Sequence, residues 1–454
     1  MQMTMQMTMQ MTRIVPAISD LTEDSTQRSI ADLSVEGGAE TAVLVHIHFN
    51  RQRDHESLAE LDLLARSAGA LPVARVTGSR RSPDPAHFVG KGKAEEIRQV
   101  LKETGARLVL INHIISPVQE RNLERVLECR VIDRTGLILD IFATRAKSHE
   151  GKLQVELAQL RHLSTRLIRG WTHLERQKGG IGLRGPGETQ LETDRRLLGQ
   201  RIKSLRARLE KVRKRRTQSR KARKKIPVAT VSLVGYTNAG KSSIFNTLTG
   251  AGVYQADQLF ATLDPTMRRL DLGNAGHVIL ADTVGFISHL PHSLVEAFHS
   301  TLEEVSDASL LLHVVDQSSE RRLENIEQVN EVLSEIEASE VPVITVYNKV
   351  DLTEREAGFE RNEEGIITKV WVSARTGEGI EILLQAIDEH FSRLRFRQTV
   401  TVPVAEGGLR AKIFQRFSVL NQSMHENGDW EMEVEGSQAD MAWLNKQTAG
   451  HQAA

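Results

Sequence analysis

A short glycine-containing segment, Gly235-Tyr-Thr-Asn-Ala-Gly-Lys-Ser242, constrains the fold of this chain more than any other feature. It matches the phosphate-loop pattern, in which glycines let backbone N–H groups turn inward toward a phosphate. An apolar run, Val231–Val234, precedes the segment, and a helix-forming run, Ser243–Leu248, follows it. We therefore expect a strand–loop–helix unit of an α/β domain, in which a parallel sheet is flanked by helices. In this unit Lys241 contacts the terminal phosphates of a nucleotide and the Ser242 hydroxyl binds magnesium.

Three further polar segments follow apolar runs that are typical of buried strands. Asp282-Thr-Val-Gly285 offers a carboxylate for a magnesium-linked water and a glycine N–H for the terminal phosphate. In Asn348-Lys-Val-Asp351, the carboxylate of Asp351 can accept both N–H donors of guanine, a pair that adenine lacks. Ser373-Ala374-Arg375 would place backbone N–H groups near the guanine carbonyl. The order of these segments predicts a domain that binds and hydrolyses GTP rather than ATP.

The loop between Ser242 and Asp282 must supply a second magnesium ligand, because GTPases order this loop through the metal and the terminal phosphate. Phe260-Ala-Thr-Leu-Asp264 is the candidate segment, with Thr262 as the ligand and Thr266 as the weaker competitor.

Two residues bear on the rate of hydrolysis. Phe286 stands where small signalling GTPases carry a glutamine, and a phenyl ring cannot orient the attacking water. We therefore expect slow intrinsic hydrolysis, or another device that replaces the glutamine. Asn238 in the phosphate loop suggests such a device, since in some GTPases an asparagine at this place helps to hold a potassium ion. This predicts that potassium stimulates GTP hydrolysis.

The predicted site has three groups of residues. The catalytic residues are Lys241, Thr262, Gly285 and Asn238, and the metal ligands are Ser242 and Thr262. The predicted GTP contacts are Gly235, Tyr236, Thr237, Asn238, Ala239, Gly240, Lys241, Ser242, Phe260, Ala261, Thr262, Leu263, Asp264, Asp282, Thr283, Val284, Gly285, Asn348, Lys349, Val350, Asp351, Ser373, Ala374 and Arg375.

The rest of the chain indicates a multidomain α/β protein. Strand-like runs at 42–48, 72–77, 107–112 and 130–133 alternate with helical runs, which predicts a small parallel sheet flanked by helices. We expect a disordered leader at 1–39, the N-terminal α/β domain at 40–140, a helical arm at 141–226, the GTPase domain at 227–396 and a small α+β domain at 397–454.

The arm has two heptad-like leucine patterns, at 153–167 and 191–212. Five glycines and a proline in the segment Lys178–Gly187 cannot continue a helix, so the two helices should fold back as an antiparallel hairpin with a glycine-rich tip. The arm is either a spacer with a floppy turn or, as we favour, an element that carries its tip to a target.

Charge is uneven along the chain. There are 59 basic and 59 acidic residues, yet Arg201–Lys225 contains many Lys and Arg residues and one acid, Glu210. Such a block is a solvated helix face or a contact for a polyanion. The single cysteine, Cys129, and the lack of any run of roughly 18 apolar residues predict a cytoplasmic protein without membrane insertion, able at most to associate peripherally with membranes.

The sequence resembles the HflX family of ribosome-associated GTPases, in the class that also holds the Obg-type enzymes. The resemblance covers roughly Thr41 to Phe391. It rests on the stretches 88–93, 133–142, 179–194, 260–266 and 282–286, of which the glycine-rich stretch at 179–194 is the most specific.

The resemblance implies binding to the large ribosomal subunit and its rRNA. The arm would reach toward the peptidyl-transferase region, the GTP-bound protein would split stalled ribosomes, and hydrolysis would release it. The expected RNA contacts are Lys178, Gly182, Arg184, Lys214, Arg215 and Arg216. The free protein is expected to be a monomer.

Three alternatives stay open. GTP could time binding to immature large subunits during assembly, or regulate a protein partner with the arm as a dimerisation surface. Gly90-Lys-Gly-Lys93, before a helix, is either an anion site for rRNA or a second nucleotide, or a basic surface cap. Some family members are thought to bind ATP in this half.

Overall fold

The computed structural model describes residues 40–49, 55–170, 186–223, 229–250, 259–260, 262–263, 265–273, 276–287, 304–393, 395–425 and 427–448. Contacts divide these residues into two compact units. The first holds the described residues of 40–215 together with those of 259–263 and Ile287, and the second holds those of 216–250, 265–286 and 304–448.

The first unit contains a four-stranded parallel sheet with the order β2-β1-β3-β4. Its strands are β1 (Thr41–Phe49), β2 (Leu71–Arg80), β3 (Leu108–Ile111) and β4 (Arg130–Asp133). Its helices are α1 (His55–Ser67), α2 (Lys91–Thr104), α3 (Pro117–Leu127) and α4 (Arg134–Arg145). The predicted alternation of strands and helices is confirmed.

Helix α4 was not expected from the sequence, and the predicted boundary at residue 140 lies inside it. The Asp133 side chain caps the helix by accepting a hydrogen bond from Gly136 N at 2.8 Å. Most residues of α4 are buried, including Thr135, Leu139 and Phe142, so the helix lacks the polar face that gives an amphipathic period.

One of the two histidines of β1, His46, belongs to a buried polar network. His46 is buried, and its Nδ1 lies 3.1 Å from the amide nitrogen of Asn112. Arg134 donates to the other end of that amide at 2.7 Å. Within the described residues, no cluster of His, Cys, Asp and Glu has the arrangement of a metal site.

The helical hairpin consists of α5 (His149–Gly170) and α6 (Pro186–Arg223). Leu153, Leu157 and Leu205 form its buried core, and Arg201 donates to Glu156 at 2.8 Å. Glu156 lies 14 residues before the end of α5 and Arg201 lies 15 residues after the start of α6, so α6 folds back along α5.

The tip of the hairpin, residues 171–185, lies outside the described residues, and with it Lys178, Gly182 and Arg184. Gly187, expected in the loop, belongs to the first turn of α6. The helix begins at Pro186, where a missing N–H costs nothing.

The second unit contains a seven-stranded sheet with the order β10-β11-β9-β8-β5-β7-β6. Its strands are β5 (Thr230–Gly235), β6 (Thr266–Asp271), β7 (His277–Asp282), β8 (Leu310–Asp316), β9 (Val343–Asn348), β10 (Gly358–Arg361) and β11 (Ile367–Trp371). Its helices are α7 (Lys241–Thr249), α8 (Arg322–Glu335) and α9 (Ile380–Ser392).

The expectation of a parallel sheet is right for β5, β7, β8, β9 and β11 and wrong for the two edges. Strand β6 pairs antiparallel with β7, and β10 pairs antiparallel with β11. At least half of the residues in each edge strand are exposed, so their sequences lack the apolar runs of the central strands.

The last part of the chain forms a small α+β fold, as expected. Its elements are β12 (Arg395–Val402), α10 (Gly407–Arg416), β13 (Ser418–Met424), β14 (Trp430–Ser437) and α11 (Gln438–Thr448), with the sheet order β12-β14-β13. The predicted boundary at 396–397 lies inside β12. Strand β12 ends at Val402, because Pro403 has no N–H for the ladder. None of the helices in the described ranges is long and apolar enough to cross a membrane.

Candidate nucleotide-binding site

The phosphate loop connects β5 to α7, and two of its glycines are required by close backbone approaches. Gly235 has φ +144°, and a Cβ there would lie 2.2 Å from the carbonyl oxygen of Val314. Gly240 has φ +93°, and a Cβ there would lie 2.1 Å from the amide nitrogen of Asn348. No other residue type fits these positions, so the loop can curl around a phosphate at the N-terminus of α7.

Lys241 opens α7 and is buried. Its Nζ donates to the carbonyl oxygens of Gly235 at 3.0 Å and Tyr236 at 2.8 Å. Burial lowers the pKa of Lys241 to about 8, while the charge of Asp282 opposes this shift. The ammonium group is therefore held at the loop in an environment that favours an added negative charge, such as a phosphate.

Ser242 and Asp282 meet at the carboxyl ends of neighbouring strands. Ser242 Oγ donates to Asp282 Oδ2 at 2.7 Å, and Asp282 is fully buried at the end of β7. A hydroxyl and a carboxylate are oxygen donors of the kind that magnesium prefers. The pair fits the ion that GTPases of this type require. Ser242 would bind it directly and Asp282 through a water, and the ion would neutralise charge on the phosphates.

The segment after Asp282 is paired with the phosphate loop. Thr237 N donates to Phe286 O at 2.6 Å, and Phe286 N donates to Gly235 O at 3.1 Å. The Phe286 side chain is buried at 4% exposure. The ring therefore packs inside the protein, and its main chain fixes Gly285 beside Lys241.

Replacing Gly285 with alanine is expected to lower GTP turnover by roughly 10- to 100-fold, which is less than the complete loss of one transition-state donor costs elsewhere, because the N–H group is displaced and not removed. The new Cβ would lie 2.9 Å from Lys241 Nζ and 3.0 Å from Thr237 Cα, so the segment must retreat from the phosphate loop. Because the N–H of residue 285 is predicted to contact the terminal phosphate, GDP affinity should change little. Steady-state GTP turnover measures the first effect, and titration with GDP measures the second. Gly273→Ala is the matched control, since among the described residues its Cβ would meet only Asp388 Oδ2, at 3.7 Å. Equal turnover in Gly285→Ala and the wild type would contradict the assignment.

Asn348 connects three segments of the predicted guanine site. Its amide nitrogen donates to Ala239 O at 2.9 Å, and its Oδ1 accepts from Ala374 N at 3.0 Å. Ser373 Oγ donates to Asp351 Oδ1 at 2.6 Å. The phosphate loop and both guanine segments are thus fixed to one another by side chains that the sequence places far apart.

One expectation about this end of the site needs correction. Ser373 N donates to Glu378 O at 2.9 Å, and Ala374 N donates to the Asn348 side chain, because the loop closes on itself as a tight turn. These two N–H groups therefore do not point to a guanine carbonyl in this structure. A contact from Arg375 N stays a prediction. Asp316, which the sequence analysis did not identify, belongs to the same end of the site.

The remaining predicted residues are placed as follows. Phe260 and Leu263 are buried in the first unit, where the Phe260 ring lies 4.6 Å from that of Phe142. Thr262 is half-buried, and its role as a metal ligand stays a prediction. Thr266 lies in β6 opposite Asp282. Ala261, Asp264 and the side chain of Arg216 lie outside what the structure describes, and Lys214 and Arg215 are exposed on α6.

Four family models match consecutive parts of the chain. Their descriptions are "GTP-binding GTPase N-terminal" over residues 55–143, "GTP-binding GTPase Middle Region" over 145–223, "50S ribosome-binding GTPase" over 230–349 and "HflX C-terminal domain" over 359–453. The chain is also 58% identical to the GTPase HflX of Escherichia coli (strain K12) over 409 residues, which is 90% of this chain and 96% of that protein. The chain belongs to the HflX family of GTPases. Its activity is accordingly the hydrolysis of GTP, as the phosphate loop and the guanine segments predict.

A second relative agrees with this assignment. The GTPase HflX of Magnetococcus marinus (strain ATCC BAA-1437 / JCM 17883 / MC-1) is 49% identical over 364 residues, which cover 80% of this chain and 84% of that protein. Among solved structures, that of SsGBP in complex with GDP aligns with a TM-score of 0.47 at 25% identity and covers 78% of this chain and 99% of that one.

Proposed function

We propose that this HflX-family GTPase binds the large ribosomal subunit in its GTP state and splits or rescues stalled ribosomes. The observation that carries the proposal is the helical hairpin, which joins a glycine-rich tip to a strongly basic helix. The family assignment supports a ribosome-associated GTPase, and the model over residues 230–349 is described as a 50S ribosome-binding GTPase. Because its partner is cytosolic, we expect the protein in the cytosol.

The charge of α6 supports an RNA partner. Residues 201–225 contain 14 Lys and Arg residues and one acid, in a chain whose formal net charge is zero. Lys214 is exposed and 3.8 Å from Glu210, the single acid, so most of the positive charge of the segment has no acidic neighbour in sequence. Such a helix contacts the phosphate backbone without reading sequence. The tip residues Lys178, Gly182 and Arg184 are the proposed contacts at the end of the arm.

The nucleotide cycle would follow from the site. Lys241 and Ser242, with magnesium, hold the phosphates of GTP, and Asp351 selects guanine. Thr262 completes the metal site, and Gly285 contacts the terminal phosphate. Loss of that phosphate on hydrolysis removes the contacts that order these two segments, which would release the protein from the ribosome.

Hydrolysis is expected to be slow without a partner, because the buried Phe286 ring cannot orient a water. Asn238, exposed at the turn of the phosphate loop with φ +60°, would hold a potassium ion that supplements the missing charge. Turnover should then be roughly tenfold higher in KCl than in NaCl, a small part of what an arginine finger supplies. Steady-state phosphate release, with and without ribosomes, measures this. Asn238→Ala should abolish the difference, and equal rates of the wild-type protein in both salts would refute the potassium site.

Binding to purified large subunits tests the proposed contacts. Lys214→Glu together with Arg215→Glu should weaken binding in the presence of a non-hydrolysable GTP analogue and reduce its salt dependence. GTP affinity should be unchanged. Lys412→Glu together with Lys446→Glu makes the same change in net charge at exposed positions in α10 and α11, and should leave binding intact. Equal loss in both double variants would mean that net charge, rather than this helix, determines binding.

A further inference from the structure

Asp316 is the last residue of β8 and lies beside the guanine segment. In the parallel pairing of β8 with β9, Asp316 is opposite Asn348. The main chain continues this pairing, because Gln317 N donates to Asn348 O at 2.9 Å. The backbone therefore fixes Asp316 next to residues 348–351, although 31 residues separate it from them in sequence.

Both carboxylate oxygens of Asp316 are engaged. Oδ2 accepts from Lys349 Nζ at 2.7 Å, and Oδ1 accepts from Ser318 N at 2.9 Å and Ser318 Oγ at 2.6 Å. The turn at Ser318 thus orients the carboxylate, and the carboxylate in turn holds the ammonium group. The side chains of Lys349 and Asp316 are about three-quarters buried, with exposures of 25% and 22%.

Lys349 needs such a partner. Its backbone has φ +67°, which side-chain-bearing residues rarely adopt, so the segment presents this residue in one fixed direction. A lysine side chain still has four rotatable bonds, and an unpaired ammonium group would sample many of their states. An ion pair at the far end of the side chain selects one of them.

We propose that Asp316 is a positioning residue for guanine nucleotides, which holds the Lys349 ammonium group so that the aliphatic part of the side chain covers the guanine base. The inference rests on the assignment of Asn348–Asp351 as the guanine segment. The end of β8 then belongs to the nucleotide site. It acts on the base through Lys349 and not on the phosphates.

The test is titration of the full chain with a fluorescent GDP analogue in excess magnesium. Asp316→Asn keeps the shape of the side chain and removes its charge, and should raise the Kd by roughly three- to tenfold, as expected for a partly exposed ion pair. The effect of Asp316→Asn should appear more in the KM for GTP, which should rise together with the Kd, than in the turnover at saturating GTP, since the reacting phosphates are untouched. Asp316→Glu should recover part of the affinity.

A double-mutant cycle separates positioning from a structural role. In a Lys349→Met background, Asp316→Asn should have no further effect, because the group through which it acts is gone. Ser318→Ala removes one hydroxyl that orients the carboxylate, and it should cause a smaller loss of affinity for the GDP analogue. It replaces Asp316→Asn as the test variant if Asp316→Asn lowers the melting temperature. Glu360→Gln is the matched control, since it removes a carboxylate that pairs with Lys369 at 3.2 Å elsewhere in the same unit.

Two results would overturn the inference. One is an Asp316→Asn Kd within about twofold of the wild type while Lys349→Met weakens binding. The other is full additivity of the two substitutions. If Lys349→Met and Asp351→Asn both left GDP affinity unchanged, the assignment of the guanine segment itself would fail, and the inference with it.

Discussion

Replacing Asp351 with asparagine is expected to weaken GTP binding by roughly 100- to 1000-fold, because two hydrogen bonds to a charged acceptor are lost. The same change should create binding of xanthosine triphosphate. The carboxylate can accept both guanine N–H groups, whereas the asparagine amide would place its own N–H group against one of them. Xanthine has a carbonyl at that position, which the amide can donate to. Ser373 Oγ, 2.6 Å from Asp351 Oδ1, fixes the orientation of the side chain.

Direct calorimetric titration of the wild type and of Asp351→Asn, first with GTP and then with xanthosine triphosphate, measures the switch. Asp271→Asn is the matched control, because it changes an exposed aspartate of the same unit that pairs with Arg269 and not with the guanine segments. The predicted role of Asp351 is wrong if Asp351→Asn keeps the preference of the wild type for GTP.

Replacing Gly240 with alanine is expected to abolish binding of both GDP and GTP, with a loss of more than about 100-fold. The Cβ would overlap the Asn348 amide at 2.1 Å, and the backbone at φ +93° disfavours any side chain. Relief of this overlap requires Gly240 or Asn348 to move. Since Asn348 bonds Ala239 O and Ala374 N, either shift disturbs the phosphate loop and the guanine segment at once.

Gly250→Ala separates the overlap from backbone strain. Gly250 ends the helix that Gly240 begins and also has positive φ, at +62°. No atom of the described residues lies within 4 Å of its would-be Cβ. Gly250→Ala should lower the melting temperature of the protein and leave nucleotide affinity nearly unchanged. Circular dichroism melts and GDP titrations of both variants measure the two effects. Similar affinity in Gly240→Ala and Gly250→Ala would show that the contact with Asn348 is unimportant.

Local signals explain which elements could be predicted. The start of helix α3 at Pro117 has a clear local signal, because Ser116 and Gln119 form a capping box and proline occupies the first position. The hairpin followed from its leucine spacing, and Leu157 and Leu205 do meet in its core. Helix α4 was missed because its surroundings bury it on nearly all sides, which removes the periodic pattern.

At the nucleotide site, too, features with a local signal could be predicted and long-range contacts could not. The phosphate loop and the guanine segment are contiguous motifs, so the sequence suffices to find them. The contacts that join them are made across the sheet: Asn348 to Ala239, and Asp316 to Lys349. No spacing rule predicts such pairs, because they depend on the strand order β9-β8-β5. The main-chain bonds of Phe286 with Thr237 and Gly235 leave no signal in the residue types at all.

Sedimentation of intact ribosomes with this protein tests the central claim, GTP-dependent action on the large ribosomal subunit. With a non-hydrolysable GTP analogue, we expect the intact-ribosome peak to decrease and the protein to migrate with large subunits, whereas GDP should give neither effect. Gly182→Val or Arg184→Glu should abolish both effects and keep GTP affinity. Binding to free large subunits without loss of intact ribosomes would instead favour a role in assembly, and self-association through the arm would favour the regulator of a protein partner. Absence of the protein from every ribosomal fraction in either nucleotide state would contradict the account.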